Sequence, residues 1–257
     1  MTYSKKRRYK ATIAYDGTFF SGFQIQPNER TVQGELEKAL KTINKDTFVR
    51  IYPAGRTDAG VHARAMVFHF DFPNKIPVNG LFKALNALIP PDISLNQLEP
   101  IADDFHARYH SAGKTYTYRV DNNSVHNPFT RNHVLHHPYE MNIKKAQQAL
   151  DVLVGTHDFT SFCSTKTDKE DKTRTIYQAS VEEKKTSKEW VFTFSGDGFL
   201  YNMIRIIMGT VLSIADGREK VSSMEHILNA KNRSAAGPTI SAKGLCLEEV
   251  QYEMKKT

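Results

Sequence analysis

Apolar and polar residues alternate over residues 8–15, with Tyr9, Ala11, Ile13 and Tyr15 on one face. A period of two predicts a strand, and Asp16-Gly17 ends it in a turn. Residues 18–30 hold Phe19, Phe20, Phe23, Gln24, Gln26 and Pro27 without a regular period, which predicts an aromatic-rich loop. Thr31 stands where a helix cap belongs, ahead of Val32, Leu36, Leu40 and Ile43 at helical spacing. Residues 48–54 and 65–72 predict strands. The second has Met66, Phe68, Phe70 and Phe72 on one side and Val67, His69 and Asp71 on the other. His69 is expected on a sheet face with no chemical role. Leu81, Leu85 and Leu88 predict a helix stopped by Pro90-Pro91, and residues 93–99 a further strand.

The character of the chain changes over residues 100–113, where mixed polar and small residues interrupt the patterning. We place the division there, giving an N-terminal half 1–105 and a C-terminal half 106–257. In the second half Tyr116, Tyr118 and Val120 alternate as a strand. Asn142 can cap a helix carrying Ala146, Leu150 and Leu153, closed by Gly155. Residues 175–185 and 189–195 read as a hairpin, Leu200 to Ile214 as a long apolar helix, and residues 245–253 as a final strand. The element order predicts the split βαβ, or ferredoxin-like, arrangement twice. The expected fold class is therefore α+β: two ferredoxin-like halves with antiparallel sheets and a cleft between them. Clefts are where sites usually form.

Composition narrows the class. A chain of 257 residues with 40% hydrophobic and 25% charged positions is that of a globular protein. No 18-residue apolar run predicts a membrane span. The basic start has no apolar segment behind it, unlike a secretory signal. Two cysteines, Cys163 and Cys246, are too few for a disulfide framework, which fits a reducing cytoplasm. The net charge of +7 is the footprint expected of a nucleic-acid partner. The basic clusters are Lys5 to Arg8 with Lys10, and residues 166–174; either also fits a solvated charge run.

No phosphate loop, dinucleotide fingerprint or serine elbow occurs. His133, His136 and His137 cluster without an acidic or cysteine partner nearby, and are expected in a surface loop, not at a metal. The stretch that concentrates chemistry is Gly55-Arg56-Thr57-Asp58-Ala59-Gly60-Val61-His62. Its glycines allow a sharp turn that presents Asp58. Arg56, two residues away, favours the ionised carboxylate, which suits a nucleophile or an electrostatic catalyst. The spacing by itself also fits a polar turn whose Arg–Asp pair contributes little. Arg205 stands in the run Ile204-Arg205-Ile206-Ile207, where a charge needs a partner. We expect that partner to be Asp58, with the bland alternative that Arg205 reaches the surface.

The eight-residue stretch resembles the signature of the tRNA pseudouridine synthase A (TruA) family. Lys114-Thr115-Tyr116-Thr117-Tyr118, Gly198 to Arg205, and Gly244-Leu245-Cys246-Leu247 resemble three further motifs of that family. So do Tyr15-Asp16-Gly17, Asp104 to Arg108 and His157 to Phe162. The resemblance implies that Asp58 is the catalytic residue. It implies that Arg56, Tyr116, Arg205 and Leu245 bind the substrate nucleotide, Tyr116 by stacking and Leu245 as an apolar pocket wall. It further implies isomerisation of uridine to pseudouridine at positions 38, 39 and 40 in the anticodon stem-loop of tRNA. No cofactor, metal or energy source is implied, and a cytoplasmic homodimer gripping one tRNA is. A different class of reading, a non-catalytic RNA-binding protein on the same scaffold, accounts equally for the charge and the aromatic strands but does not require the Arg56–Asp58 constellation.

Overall fold

The computed structural model describes residues 6–73, 76–167 and 169–252. The chain is mixed α/β and forms two compact units, divided between Ala112 and Gly113, with the residues from Leu247 onward rejoining the first.

In the first unit the chain runs through β1 (Lys6–Tyr15), α1 (Val32–Ile43), β2 (Ile51–Pro53), β3 (His62–Pro73), α2 (Val78–Leu88) and β4 (Ile93–Pro100). The odd-numbered residues of β1 from Tyr9 to Tyr15 are buried, as the alternation predicts. β1 lies between β3 and β4, antiparallel to both, and β2 pairs antiparallel with β3. The Thr31 hydroxyl accepts the Gly34 N–H at 3.2 Å and caps α1, whose Val32, Leu36, Ala39 and Leu40 are buried. β2 is shorter than the expected 48–54. It is held to α1 by buried Glu37, whose carboxylate accepts the Ile51 N–H at 3.1 Å. Leu88, expected on the buried face of α2, is exposed; the burial falls on Leu81 and Leu85. Residues Met66–Phe70 of β3 are buried on both sides. His69 is covered because its Nδ1 accepts the Ala107 N–H at 3.1 Å.

The second unit holds β5 (Ser111–Asp121), β6 (Leu135–His136), α3 (Ile143–Asp151), β7 (Gly155–Asp158), β8 (Thr173–Lys184), β9 (Glu189–Gly196), α4 (Met203–Ala215) and α5 (Ser223–Ala230). β9 sits between β5 and β8, antiparallel to both, and β7 pairs with β8. Asn142 caps α3 through the Lys145 N–H at 3.1 Å. Gly155 does not close that helix. It opens β7 at φ +114°, three residues past the helix's C-cap Val152. α4 starts at Met203, not Leu200, because Asn202 takes a left-handed φ of 60° ahead of it. α5 has eight residues and buries only Met224, Ile227 and Leu228, too short a period to stand out in the sequence. His137 departs from the expected surface loop. It is buried, its N–H donates to Asp121 O, and Asp216 lies 3.2 Å from its Nε2. Burial lowers its pKa despite that neighbour.

The chain closes with β10 (Leu245–Tyr252). Element order places this strand in the half 106–257, yet from Leu247 it groups with the first unit. There it pairs with β3. The Tyr252 hydroxyl donates to Ala107 O at 2.7 Å, Lys10 lies over the Tyr252 ring, and Arg64 reaches Glu248 at 3.3 Å.

Candidate active site

Asp58 stands in the turn that delivers the chain into β3. The Ala54 N–H donates to Val67 O at 2.8 Å and fixes the approach. The Val61 N–H then donates to Asp58 O at 3.1 Å and closes a four-residue turn. Gly60, third in that turn, has φ +78°, the left-handed conformation that a type II turn requires there. Thr57 is buried, Asp58 half-buried and Arg56 exposed. The turn thus exposes the guanidinium, part-exposes the carboxylate, and turns the hydroxyl between them inward.

That inward hydroxyl has a function the sequence reading missed. Thr57 Oγ1 and Tyr15 Oη share a buried hydrogen bond of 2.7 Å. The Phe23 N–H donates to Thr57 O at 3.1 Å, and the Gly60 N–H to Phe20 O at 3.3 Å. The motif histidine is also spoken for: His62 is buried and its Nδ1 accepts the Gly17 N–H at 3.0 Å. Asp16 Oδ1 lies 3.1 Å from the same nitrogen. An unprotonated Nδ1 serves Gly17, and a protonated one serves Asp16, so only one bond forms at a time.

Tyr116, Arg205 and Leu245 belong to the second unit. Tyr116 is buried on β5, opposite Phe194 of β9, and meets the Phe199 ring edge-on at 5.3 Å. Arg205 occupies the first turn of α4, where the helix dipole disfavours a cation. It is half-buried, not fully exposed. Its Nε donates to Ile240 O at 2.8 Å and its Nη1 to Asn202 Oδ1 at 2.7 Å. The next carbonyl along, Ser241 O, accepts from the Tyr118 hydroxyl at 2.7 Å. Burial pushes the pKa of that phenol well above the ordinary tyrosine value, and Arg205 pulls it the other way. A Cβ on Gly244 would stand 2.7 Å from Arg119 O and 2.8 Å from the Tyr118 ring, so this close approach requires glycine. Buried Leu245 follows directly. Arg205 and Tyr118 therefore fix the backbone that carries Leu245. The period-two placement of Tyr118 hid this role, since it reads as an ordinary sheet aromatic.

The basic clusters divide in the same way. Lys5 lies outside the described residues, and Lys6 and Arg7 are exposed. Arg8 is committed internally. Its guanidinium grips both carboxylate oxygens of Asp71 at 2.8 and 2.9 Å and donates to Phe105 O. This pairing raises the Arg8 pKa and holds the Asp71 carboxyl below its ordinary value. In the second cluster Lys166 and Lys169 are exposed, whereas Arg174 donates to Thr173 O. Cys163 and Cys246 are both thiols, with no disulfide between them. No helix among the described residues is long and apolar enough to cross a membrane.

Comparison with known proteins bears on this arrangement. The family profile described as tRNA pseudouridine synthase matches residues 11–110 and 149–253. The tRNA pseudouridine synthase A of Streptococcus pyogenes is 50% identical over 246 residues, covering 96% of this chain and 99% of that one. Its counterpart from Latilactobacillus sakei is 45% identical over 247 residues, with the same coverage. Among solved structures the likeness is faint. A Cbf5-Nop10-Gar1 complex covers 93% of this chain and 57% of that one at 12% identity, with a TM-score of 0.34, too low to speak to fold. The profile match spans the Asp58 turn, Arg205 and Leu245, and the near full-length identity is high: the chain belongs to the tRNA pseudouridine synthase family.

Proposed function

We propose that this protein isomerises uridine to pseudouridine in tRNA, with Asp58 as the reacting carboxylate. Family membership over both units carries the reading, and the glycine turn that presents Asp58 supports it. In the reaction the N1–C1′ bond breaks, the uracil turns, and C5 joins C1′. The C5 hydrogen leaves as a proton and N1 gains one, so no redox partner is consumed.

The target lies at positions 38, 39 and 40 of the anticodon stem-loop, and its base leaves the stack at a cost of a few kcal/mol. Arg56, exposed beside Asp58 in the sequence, suits holding the displaced nucleotide. Tyr116 stacks on the uracil, Arg205 supplies positive charge, and Leu245 contributes the apolar wall. Exposed Lys6 and Arg7 meet phosphates, which position the tRNA without reading its sequence. The halves 1–105 and 106–257 act as ferredoxin-like modules. The βαββαβ order in the first unit, with β1 between β3 and β4 and β2 on β3, supports this for that half. The protein works as a cytoplasmic homodimer.

Tritium release from tRNA carrying 5-³H-uridine tests the reading, because isomerisation frees the C5 hydrogen. Wild type is expected to release it. Asp58→Asn is expected to release none while its tRNA affinity stays within about tenfold, or ~1.4 kcal/mol. Normal turnover by Asp58→Asn removes the carboxylate from the chemistry.

A further inference from the structure

Tyr15-Asp16-Gly17 ends β1 well ahead of Asp58 in sequence, and the proposed chemistry gives it nothing to do. Its contacts converge on the Asp58 turn from both sides. On the near side Tyr15, buried, joins its hydroxyl to Thr57, the residue before Asp58, at 2.7 Å. On the far side the Gly17 N–H donates to His62 at 3.0 Å. A Cβ on Gly17 would lie 2.0 Å from Val61 O, so the two backbones touch with no room for a side chain. The following residues complete the enclosure. Phe20 O accepts from Gly60, and the Phe23 N–H donates to Thr57 O. Gly22, at φ +93°, would place a Cβ 2.9 Å from Thr57 O.

Tyr15 itself is not free to drift. It is paired with Ala63 of β3 on one side and Ile93 of β4 on the other, and its ring tilts against Phe23 at 6.2 Å. Its hydroxyl is therefore a fixed point of the sheet, and the bond to Thr57 ties the turn to that point. Rotation about the Thr57 backbone would swing Asp58, and a misplacement of about 1 Å can cost two decades of rate. From these contacts we infer that Tyr15 is a positioning residue: through the Thr57 hydroxyl it sets the direction in which Asp58 faces. In this reading it acts through Thr57. The inference rests on the proposed role of Asp58.

The test is single-turnover isomerisation of 5-³H-uridine tRNA with enzyme in saturating excess, alongside tRNA Kd and Tm. Tyr15→Phe and Thr57→Val are each expected to slow the chemical step roughly tenfold, with Kd within about twofold and Tm lower by only a few degrees, since each leaves one buried hydroxyl without this bond. Thr57→Ser, which keeps the hydroxyl, restores the rate. The double variant Tyr15→Phe/Thr57→Val is no slower than the slower single, because both remove one bond. A normal rate for Tyr15→Phe, or a double variant slowed by the product of the singles, overturns the inference. Should Tyr15→Phe fail to fold, the Thr57 pair decides alone: a slow Val with a normal Ser supports it, and two normal rates sink it. A dead Asp58→Asn beside a normal Tyr15→Phe defeats this inference only. An active Asp58→Asn defeats the reading beneath it.

Discussion

The Asp58 turn and the segment from Ile240 to Leu245 are both irregular stretches, one in each unit, that carry an expected site residue into a strand. Around the Asp58 turn backbone N–H groups share in the holding: His62 accepts from Gly17, and the Phe23 and Gly60 N–H groups donate to Thr57 O and Phe20 O; elsewhere in the first unit His69 accepts from Ala107 and Glu37 from Ile51. At the Ile240–Leu245 segment side chains do the holding and donate to carbonyls: Arg205 to Ile240, Tyr118 to Ser241. The two kinds of support respond to different perturbations. A backbone clamp tolerates side-chain changes but no added Cβ at the contact. An imidazole acceptor fails when it takes a proton. A guanidinium or a phenol keeps its donor protons throughout the neutral range.

The largest effect is expected from crowding the clamp. Gly17→Ala forces a methyl against Val61 O and is expected to cost roughly 2–3 kcal/mol, seen as a Tm several degrees lower and a large fall in turnover. A Tm equal to wild type would show that the two backbones can separate freely. Next comes the donor side. Arg205→Met removes the charged hydrogen bonds to Ile240 O and Asn202 Oδ1 and is expected to cost about 1.5–2 kcal/mol or more. Deuterium uptake should rise over residues 240–245 and not over 54–61, with turnover strongly reduced. Arg205→Lys should recover only part, lacking the planar fork. Uptake rising equally in both stretches would erase the distinction drawn between the units.

The smallest effect separates the two by pH. Burial, aided by His106 and Arg8, lowers the His69 pKa from 6.5 to about 4. His69 is thus neutral in the folded state where the unfolded chain would already hold a proton. Its contribution is fully present above pH 6.5 and is lost as pH falls from there towards 4. Linkage puts the loss at about 1 kcal/mol between pH 7.5 and 5.5. Relative to wild type, His69→Gln, which keeps an acceptor for Ala107, should flatten that part of the stability curve. An unchanged curve would show that His69 does not sense acid.

What the sequence disclosed follows the same division. The alternation of β1, the Thr31 and Asn142 caps and the β8–β9 hairpin were legible because each is written in neighbouring residues. So was the turn at Asp58, since its glycine and the residues it presents lie within one short stretch. Leu88 misled because periodicity names a helix face but not its buried length. The role of Tyr118 was hidden because its partner, Ser241, is 123 residues away and is reached through a carbonyl that any residue type supplies. Thr57 was hidden by its neighbours: between an arginine and an aspartate a threonine reads as filler, and only the buried Tyr15 hydroxyl gives it a purpose. The place of β10 escaped for a related reason. Nothing local in Leu247 to Tyr252 names β3 as a strand it will pair with.

That returning strand also has a consequence for synthesis. The residues of the first unit up to Ala112 leave the ribosome long before β10 does, so for most of translation β3 lacks that neighbour. An unpaired strand edge is a template for unwanted pairing. During the same interval Ala107 O lacks the hydroxyl of Tyr252, and Lys10 lacks the ring beneath it. The first unit is begun first and finished last. A nascent chain stalled anywhere in the second unit carries the Asp58 turn on a sheet that still awaits its closing strand.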